Sequence, residues 1–275
     1  MPRKKKKDNT LKYIGLAIWF IIKIPYYIVL LIILIIKAIM FLCKKSNKAV
    51  KKRRTWKKRA SIVPVYNDLE VIHGNKNNFR DWENKIFKSD SKIGVILGAR
   101  GSGKTAFALK FLENFHSKTK KKCFAIGFQE DEMPGWIKVV PDISKIENDS
   151  FVLIDEGGIL FSARKSMSNA NKLLSDLILI ARHKNLNILF ISQNSSNLDV
   201  NILRQADFLI LKPSSLLQKN FERKIIQKIY DGVSDLFDQH KDKPGTTYIY
   251  SDLFEGFVNN PLPSFWTGSI SKSFR

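Results

Sequence analysis

The run GARGSGKT, Gly98 to Thr105, has the spacing G-x-x-x-x-G-K-[ST]. Gly98, Gly101 and Gly103 let the backbone turn tightly and point several N–H groups at one centre, which is how a loop grips phosphate oxygens. The whole loop, with Arg100 and Ser102 inside it, is the expected nucleotide contact, although Arg100 has no separate role. Lys104 is expected to reach the β- and γ-phosphates of ATP, and Thr105 to ligate Mg²⁺. A second constellation is FVLIDE, in which four apolar residues end in Asp155 and Glu156. Neighbouring residues on a strand point opposite ways, so Asp155 is the expected metal partner and Glu156 the group that positions and polarises an attacking water. A carboxylate in that place favours hydrolysis over transfer to a small molecule.

A third polar group, Gln193, closes the apolar run NILFIS and reads either as a sensor between nucleotide and water or as a surface glutamine at a strand end. Arg164, Arg182 and Arg204 follow the second apolar run or lie near the third. Any of them could neutralise transition-state charge across a subunit boundary, with Arg204 the first choice. His183 reads as structural or DNA-facing, because Glu156 already fills the role of general base. His73, His116 and His240 show no metal-ligand spacing with each other or with the cysteines. The two cysteines, Cys43 and Cys123, are too far apart to suggest a disulfide framework, which fits a reducing compartment.

Such groups need a scaffold that brings strand ends together. Apolar strands are expected at 92–97, 123–128, 151–155, 187–192 and 207–211, with helices at 104–116, 171–182 and 214–230. Continuous apolar strands alternating with helices predict an α/β fold, a mostly parallel sheet covered on both faces, with ligands at the carboxyl ends of the strands. TTYIYS at 246–251 is expected to add an edge strand, and the aromatic tail beyond it has no assigned place.

The chain has 275 residues, of which 44% are apolar, and that excludes wholesale disorder. Its net charge of +22 is uneven: residues 1–59 hold 18 Lys or Arg and one acid, Asp8. Within them, residues 13–43 form an apolar stretch interrupted only by Lys23, Pro25 and Lys37, long enough to cross a bilayer. A single span would put the more basic flank and the large domain in the cytoplasm; a shallow hairpin bending at Lys23 to Pro25 would put both flanks there. A cleaved signal peptide fits poorly, since no small-residue cleavage site follows. The basic flanks read first as topology determinants and contacts to anionic lipid, and second as nucleic-acid contacts. The expected organisation is a basic flank (1–12), a membrane segment (13–43), a basic juxtamembrane run (44–60), a linker (61–91) with a short helix at 79–87, and an ATPase domain (92–275).

Taken together, GARGSGKT, FVLIDE and ARHKNLNILFISQNSSNLDVNILRQADFLIL (181–211) resemble the HerA/FtsK superfamily of P-loop DNA-pumping ATPases. The Arg-His before the third strand, the Gln at its end and the later Leu-Asp and Arg resemble two groups within it. These are the viral genome-packaging ATPases and the Zot-like proteins that assemble and extrude filamentous phage. The resemblance covers residues 92–212 and implies a RecA-like core, a homo-oligomeric ring, usually a hexamer, and ATP-driven movement of DNA. Lys104, Thr105, Asp155, Glu156 and Gln193 inherit the nucleotide roles by position. Zot-like proteins usually carry their membrane helix after the ATPase domain; here the apolar stretch comes first, as in FtsK and the conjugation coupling proteins. Expected partners are therefore DNA, a membrane, further copies of the chain and, in the Zot-like alternative, capsid or coat proteins.

Overall fold

The computed structural model describes residues 26–37, 39–44, 59–155 and 179–270, together with Trp19, Lys23 and Lys57. The chain divides into two compact units, Met1–Lys57 and Lys58–Arg275. The first contains helix α1 (Tyr26–Lys44), 19 residues that are long and apolar enough to cross a membrane. Tyr26, Tyr27, Ile28 and Val29 are among its exposed side chains, consecutive positions that point around the helix rather than along one stripe. The choice between span and hairpin turns on residues 13–25, of which only Trp19 and Lys23 are described.

The second unit is built on a nine-stranded sheet among the described residues, in the order β1-β9-β8-β7-β2-β6-β5-β3-β4. Six strands run parallel: β2 (Ile93–Leu97), β3 (Lys122–Ile126), β4 (Ile137–Val139), β5 (Ser150–Asp155), β6 (Leu186–Ile191) and β7 (Phe208–Leu211). β2 and β7 are apolar throughout, and β5 and β6 nearly so, because both faces are covered. On β2, Ile96 packs with α2 (Lys76–Lys88) and α3 (Lys104–Thr119), whereas Val95 and Leu97 join the opposite layer. That second layer contains α4 (Val200–Gln205) and α6 (Lys224–Gln239), which bury Ile202, Ile226, Tyr230 and Phe237. Gly94 of β2 leaves room for the Phe208 ring of the neighbouring strand β7: a Cβ there would lie 2.2 Å from that ring.

Three further strands extend the sheet antiparallel. β8 (Thr246–Ser251) pairs with β7, β9 (Glu255–Asn259) with β8, and β1 (Glu70–His73) with β9. The strand expected at the edge is therefore covered on both sides, and the unplaced tail supplies one of the covers.

Residues 61–91, read in the sequence as a linker, instead join the second unit. Leu69, Phe79, Trp82, Ile86 and Phe87 belong to the core of the first layer. The extended segment before β1 is held by a buried polar cluster on α3. Lys110 Nζ donates to the Val65 carbonyl at 2.9 Å, to Asn67 Oδ1 at 2.6 Å and to Glu113 Oε2 at 2.8 Å. Glu113 also accepts from the backbone of Val65 and of Ser264, and Asn114 exchanges two hydrogen bonds with Asn67. Polarity mimics a linker, yet every polar group in this cluster has a partner.

The single helix expected at 214–230 is two, α5 (Leu216–Phe221) and α6. The break is chemical. Glu222 Oε2 accepts from the Ser195 N–H at 2.7 Å, and Arg223 donates to the carbonyls of Ser195 and Leu198 at 3.1 and 2.9 Å, so both side chains turn inward to brace the loop after β6. Of the helix expected at 171–182, only the helical stretch from 179 is described.

Candidate functional site

β2 carries the chain to the phosphate loop, and the left-handed torsions that the loop needs fall on its glycines. Gly98, Gly101 and Gly103 have φ of +149°, +78° and +89°. At Gly98 space is as restrictive as torsion, since a Cβ would lie 2.6 Å from Lys212 Cβ. Gly103 precedes α3 with no side-chain cap, which leaves the first helical N–H groups turned towards the loop. Lys104 is only 8% exposed, and its Nζ donates to the carbonyls of Gly98 and Ala99 at 2.7 and 2.8 Å. Its ammonium is thus held over the centre of the loop. Ser102 Oγ is buried with no hydrogen-bond partner, Thr105 is half-buried one residue into the helix, and Arg100 is exposed.

The sheet register places the second constellation at the same edge. Ile96 of β2 is opposite Ile191 of β6, and Ile191 is opposite Asp155 of β5. Asp155, half-buried, therefore lies level with the start of the loop, two strand spacings or about 10 Å across. Gln193 follows on the intervening strand, exposed, with its carbonyl accepting from the Gln218 side chain of α5. Between them Ser192 N–H donates to the Ile96 carbonyl at 3.0 Å, which fixes the spacing of the two strand ends. Glu156 and Arg164 lie outside the described residues.

Arg182 and Arg204 do not join this group within the chain. Arg204 is in the last turn of α4, just before Asp207, whose carboxylate takes the Ile93 N–H at 2.8 Å and pairs with Lys92 at the amino end of β2. Arg182 and His183 are exposed just before β6, again at the amino ends of the strands. A parallel sheet separates strand starts from strand ends by the full strand length, so these residues are remote from the loop.

Sequence reading missed Lys212, the residue immediately after β7. It is fully buried beneath the phosphate loop, and its Nζ donates to the Gly245 and Thr246 carbonyls and to Asn260 Oδ1, at 3.0, 3.3 and 2.9 Å. Ala99 N–H donates to the Pro213 carbonyl at 3.0 Å and Tyr230 Oη to the Lys212 carbonyl at 3.0 Å, so the loop, β7, β8 and α6 meet at this point. Burial pushes the Lys212 ammonium down to about 7. The only signal in the sequence was a charge ending the apolar run FLIL.

Beside the loop opens a cavity of about 910 Å³, bordered by Gly101, Ser102 and Gly103 on one side and by the turn before β8 and the segment after β9 on the other. The cradle of positive-φ glycines, the orphaned Ser102 hydroxyl and the buried ammonium fit a polyphosphate. No cluster of three or more His, Cys, Asp or Glu side chains is present among the described residues. A magnesium ion bound largely by phosphate oxygens and water, with Thr105 and Asp155 as protein ligands, needs no such cluster.

Residues 126–211 match the family model for Zonular occludens toxin (Zot). The match starts at the end of β3 and ends with β7, so it includes Asp155, Gln193 and Arg204 but not the phosphate loop. No curated protein matches the sequence. Among solved structures, the chain is similar to the genome-packaging NTPase B204 of Sulfolobus turreted icosahedral virus 2 in complex with AMP, with 15% identity, a TM-score of 0.42, and coverage of 63% of this chain and 99% of that one. It is also similar to the cytoplasmic domain of the type VII secretion ATPase EccC of Thermomonospora curvata, at 14% identity and TM-score 0.42 over 63% of this chain and 25% of that one. For EssC (ATPases 2 and 3) of Geobacillus thermodenitrificans the values are 10%, 0.37, 68% and 43%.

Proposed function

We propose that this chain is a magnesium-dependent ATPase motor of RecA-like architecture, anchored to a membrane through α1, that works in a homo-oligomeric ring to move DNA. The observation that carries the reading is the shared sheet edge: the glycine loop with Lys104 after β2, Gln193 after β6 and Asp155 at the end of β5. The loop N–H groups and the start of α3 bind the phosphates. Lys104 exchanges its two loop carbonyls for β- and γ-phosphate oxygens, at little cost in desolvation because it is already buried. Mg²⁺ bound between the phosphates, Thr105 and Asp155 would neutralise the charge that develops on the leaving oxygen. Glu156, next in sequence to Asp155, orients the water and takes its proton, and Gln193 reports the state of the γ-phosphate to α5 through Gln218. Arg204, remote from its own loop, serves a neighbouring subunit as an arginine finger.

Purified full-length protein should hydrolyse ATP only with Mg²⁺, and duplex or single-stranded DNA should accelerate it less as salt rises. Glu156→Gln should retain ATP binding while hydrolysis falls by about 10²-fold or more. Hydrolysis unaffected by DNA at every salt concentration would remove DNA as the substrate. The Zot match favours a second reading, in which the ATPase works at the membrane on capsid or coat proteins. In that case the protein should hydrolyse ATP without DNA stimulation, and deleting residues 1–59 should not change any DNA affinity.

A further inference from the structure

We infer that the antiparallel extension, β8 with β9 and the turn before β8, is the nucleoside-recognition element of the site, and that Asn259 makes it prefer adenine to guanine. The inference rests on the nucleotide reading of the phosphate loop and adds what the loop itself cannot supply. Backbone N–H groups and Lys104 recognise phosphate alone and are indifferent to the base. A nucleotide held there must extend its sugar and base into space that adjoins the loop, and the cavity bordered by Gly101, Ser102 and Gly103 is such a space. Its volume of about 910 Å³ lies within the range of pockets that enclose small ligands.

The lining suits a nucleoside. Pro244, Pro261 and Trp266 offer flat apolar surfaces for a base, while Asp68 and Glu70 bring carboxylate acceptors within reach of sugar hydroxyls. Asn259, at the end of β9, has a buried Oδ1 without a hydrogen-bond partner. A buried acceptor left unpaired is costly, and the cost is recovered when a ligand donor meets it. Gly245 is what admits this oxygen, since a Cβ there would lie 2.6 Å from Asn259 Oδ1 and 2.5 Å from the Asn260 carbonyl. The distance from the loop is bridged by Lys212, which packs beneath Gly98 and holds the Gly245 carbonyl and Asn260 Oδ1. The 6-amino group of adenine donates a hydrogen bond to such an oxygen. With the 6-position of the purine against this oxygen, the 6-oxo group of guanine presents a second acceptor and repels it, so in that pose adenine satisfies the buried group and guanine does not.

Competition binding on the full-length chain, with ATP, GTP and inorganic tripolyphosphate as probes, tests this. Wild type should bind ATP at least tenfold tighter than GTP. Asn259→Ala should bring the ratio towards one while tripolyphosphate affinity stays within twofold. Leu262→Trp, at a 57% exposed position on the cavity rim, should weaken both nucleotides about tenfold and leave tripolyphosphate unchanged. This second variant carries the test should Asn259→Ala fail to fold. Equal binding of ATP and GTP by wild type, or nucleotide affinities that neither variant changes, would overturn the inference. If neither tripolyphosphate nor any nucleotide binds wild type, the phosphate-loop reading itself fails, and that outcome is distinct from the others.

Discussion

The parallel and antiparallel halves of the sheet use buried charge differently. In the parallel half, the central strands β2, β5, β6 and β7 are almost wholly apolar inside, and Lys104, Asp155 and Gln193, the groups proposed to meet a ligand, stand at the carboxyl ends. The antiparallel half and its flanking segments bury polar groups for adhesion. Lys212 bonds to three oxygens, of the residue before β8, the first residue of β8 and the residue after β9, and Lys110 with Glu113 fastens the segments at 65–67 and 264 to α3. On the proposed reading, the lysine over the loop changes partners when nucleotide binds, whereas these two have a full set within the protein. Similar burial thus serves exchange in one region and attachment in the other.

If that contrast is right, breaking the attachment should cost the fold, and breaking the exchange should cost only chemistry. Lys110→Met leaves Glu113 in a site where both side chains are fully buried, so urea unfolding should show a loss of about 3–5 kcal/mol. Replacing both with apolar residues, Lys110→Met with Glu113→Leu, should recover part of it. Lys104→Ala should leave the unfolding midpoint nearly unchanged and lower steady-state ATP turnover by about 10²–10³-fold. A Lys104→Ala protein that unfolds as readily as Lys110→Met would erase the distinction.

Lys212 sharpens the comparison through pH. Burial lowers its folded-state value to about 7 from the ordinary 10.5, so between those values the unfolded chain binds more protons. Its contribution to stability is therefore complete above about pH 10.5 and lost as pH falls towards 7. Stability against urea should rise less steeply with pH in Lys212→Met than in wild type over that window, and parallel curves would show that burial does not lower the Lys212 value as described. The smallest effect is expected at Arg204: Arg204→Ala should change ATP affinity less than twofold, because the side chain is exposed at the far edge of the sheet, and any loss should appear only in assembled turnover.

Legibility followed the same division. The strands at 93–97, 150–155, 186–191 and 208–211 were readable because continuous apolar runs leave few alternatives, and the phosphate loop because its glycines answer a torsional need stated in the chain itself. The short helix at 79–87 was readable and is part of α2, but the segment before it looked like a linker because Asn67, Asp68 and the polar residues around them look solvated when their partners, Lys110, Asn114 and Tyr66, are distant in sequence or not evidently facing them. The break between α5 and α6 was hidden likewise, since its cause is Ser195, 27 residues before Glu222.

By itself the sequence determined the alternation of strands and helices, the phosphate loop and the acidic strand end, because each depends on residues a few positions apart. Tertiary structure alone decided that Asp155 comes level with the loop across β6, that β8 is interior and that Lys212 lies beneath Gly98. Strand order, register and the partner of a buried charge are set by which distant surfaces exclude water together, and no local pattern encodes that choice.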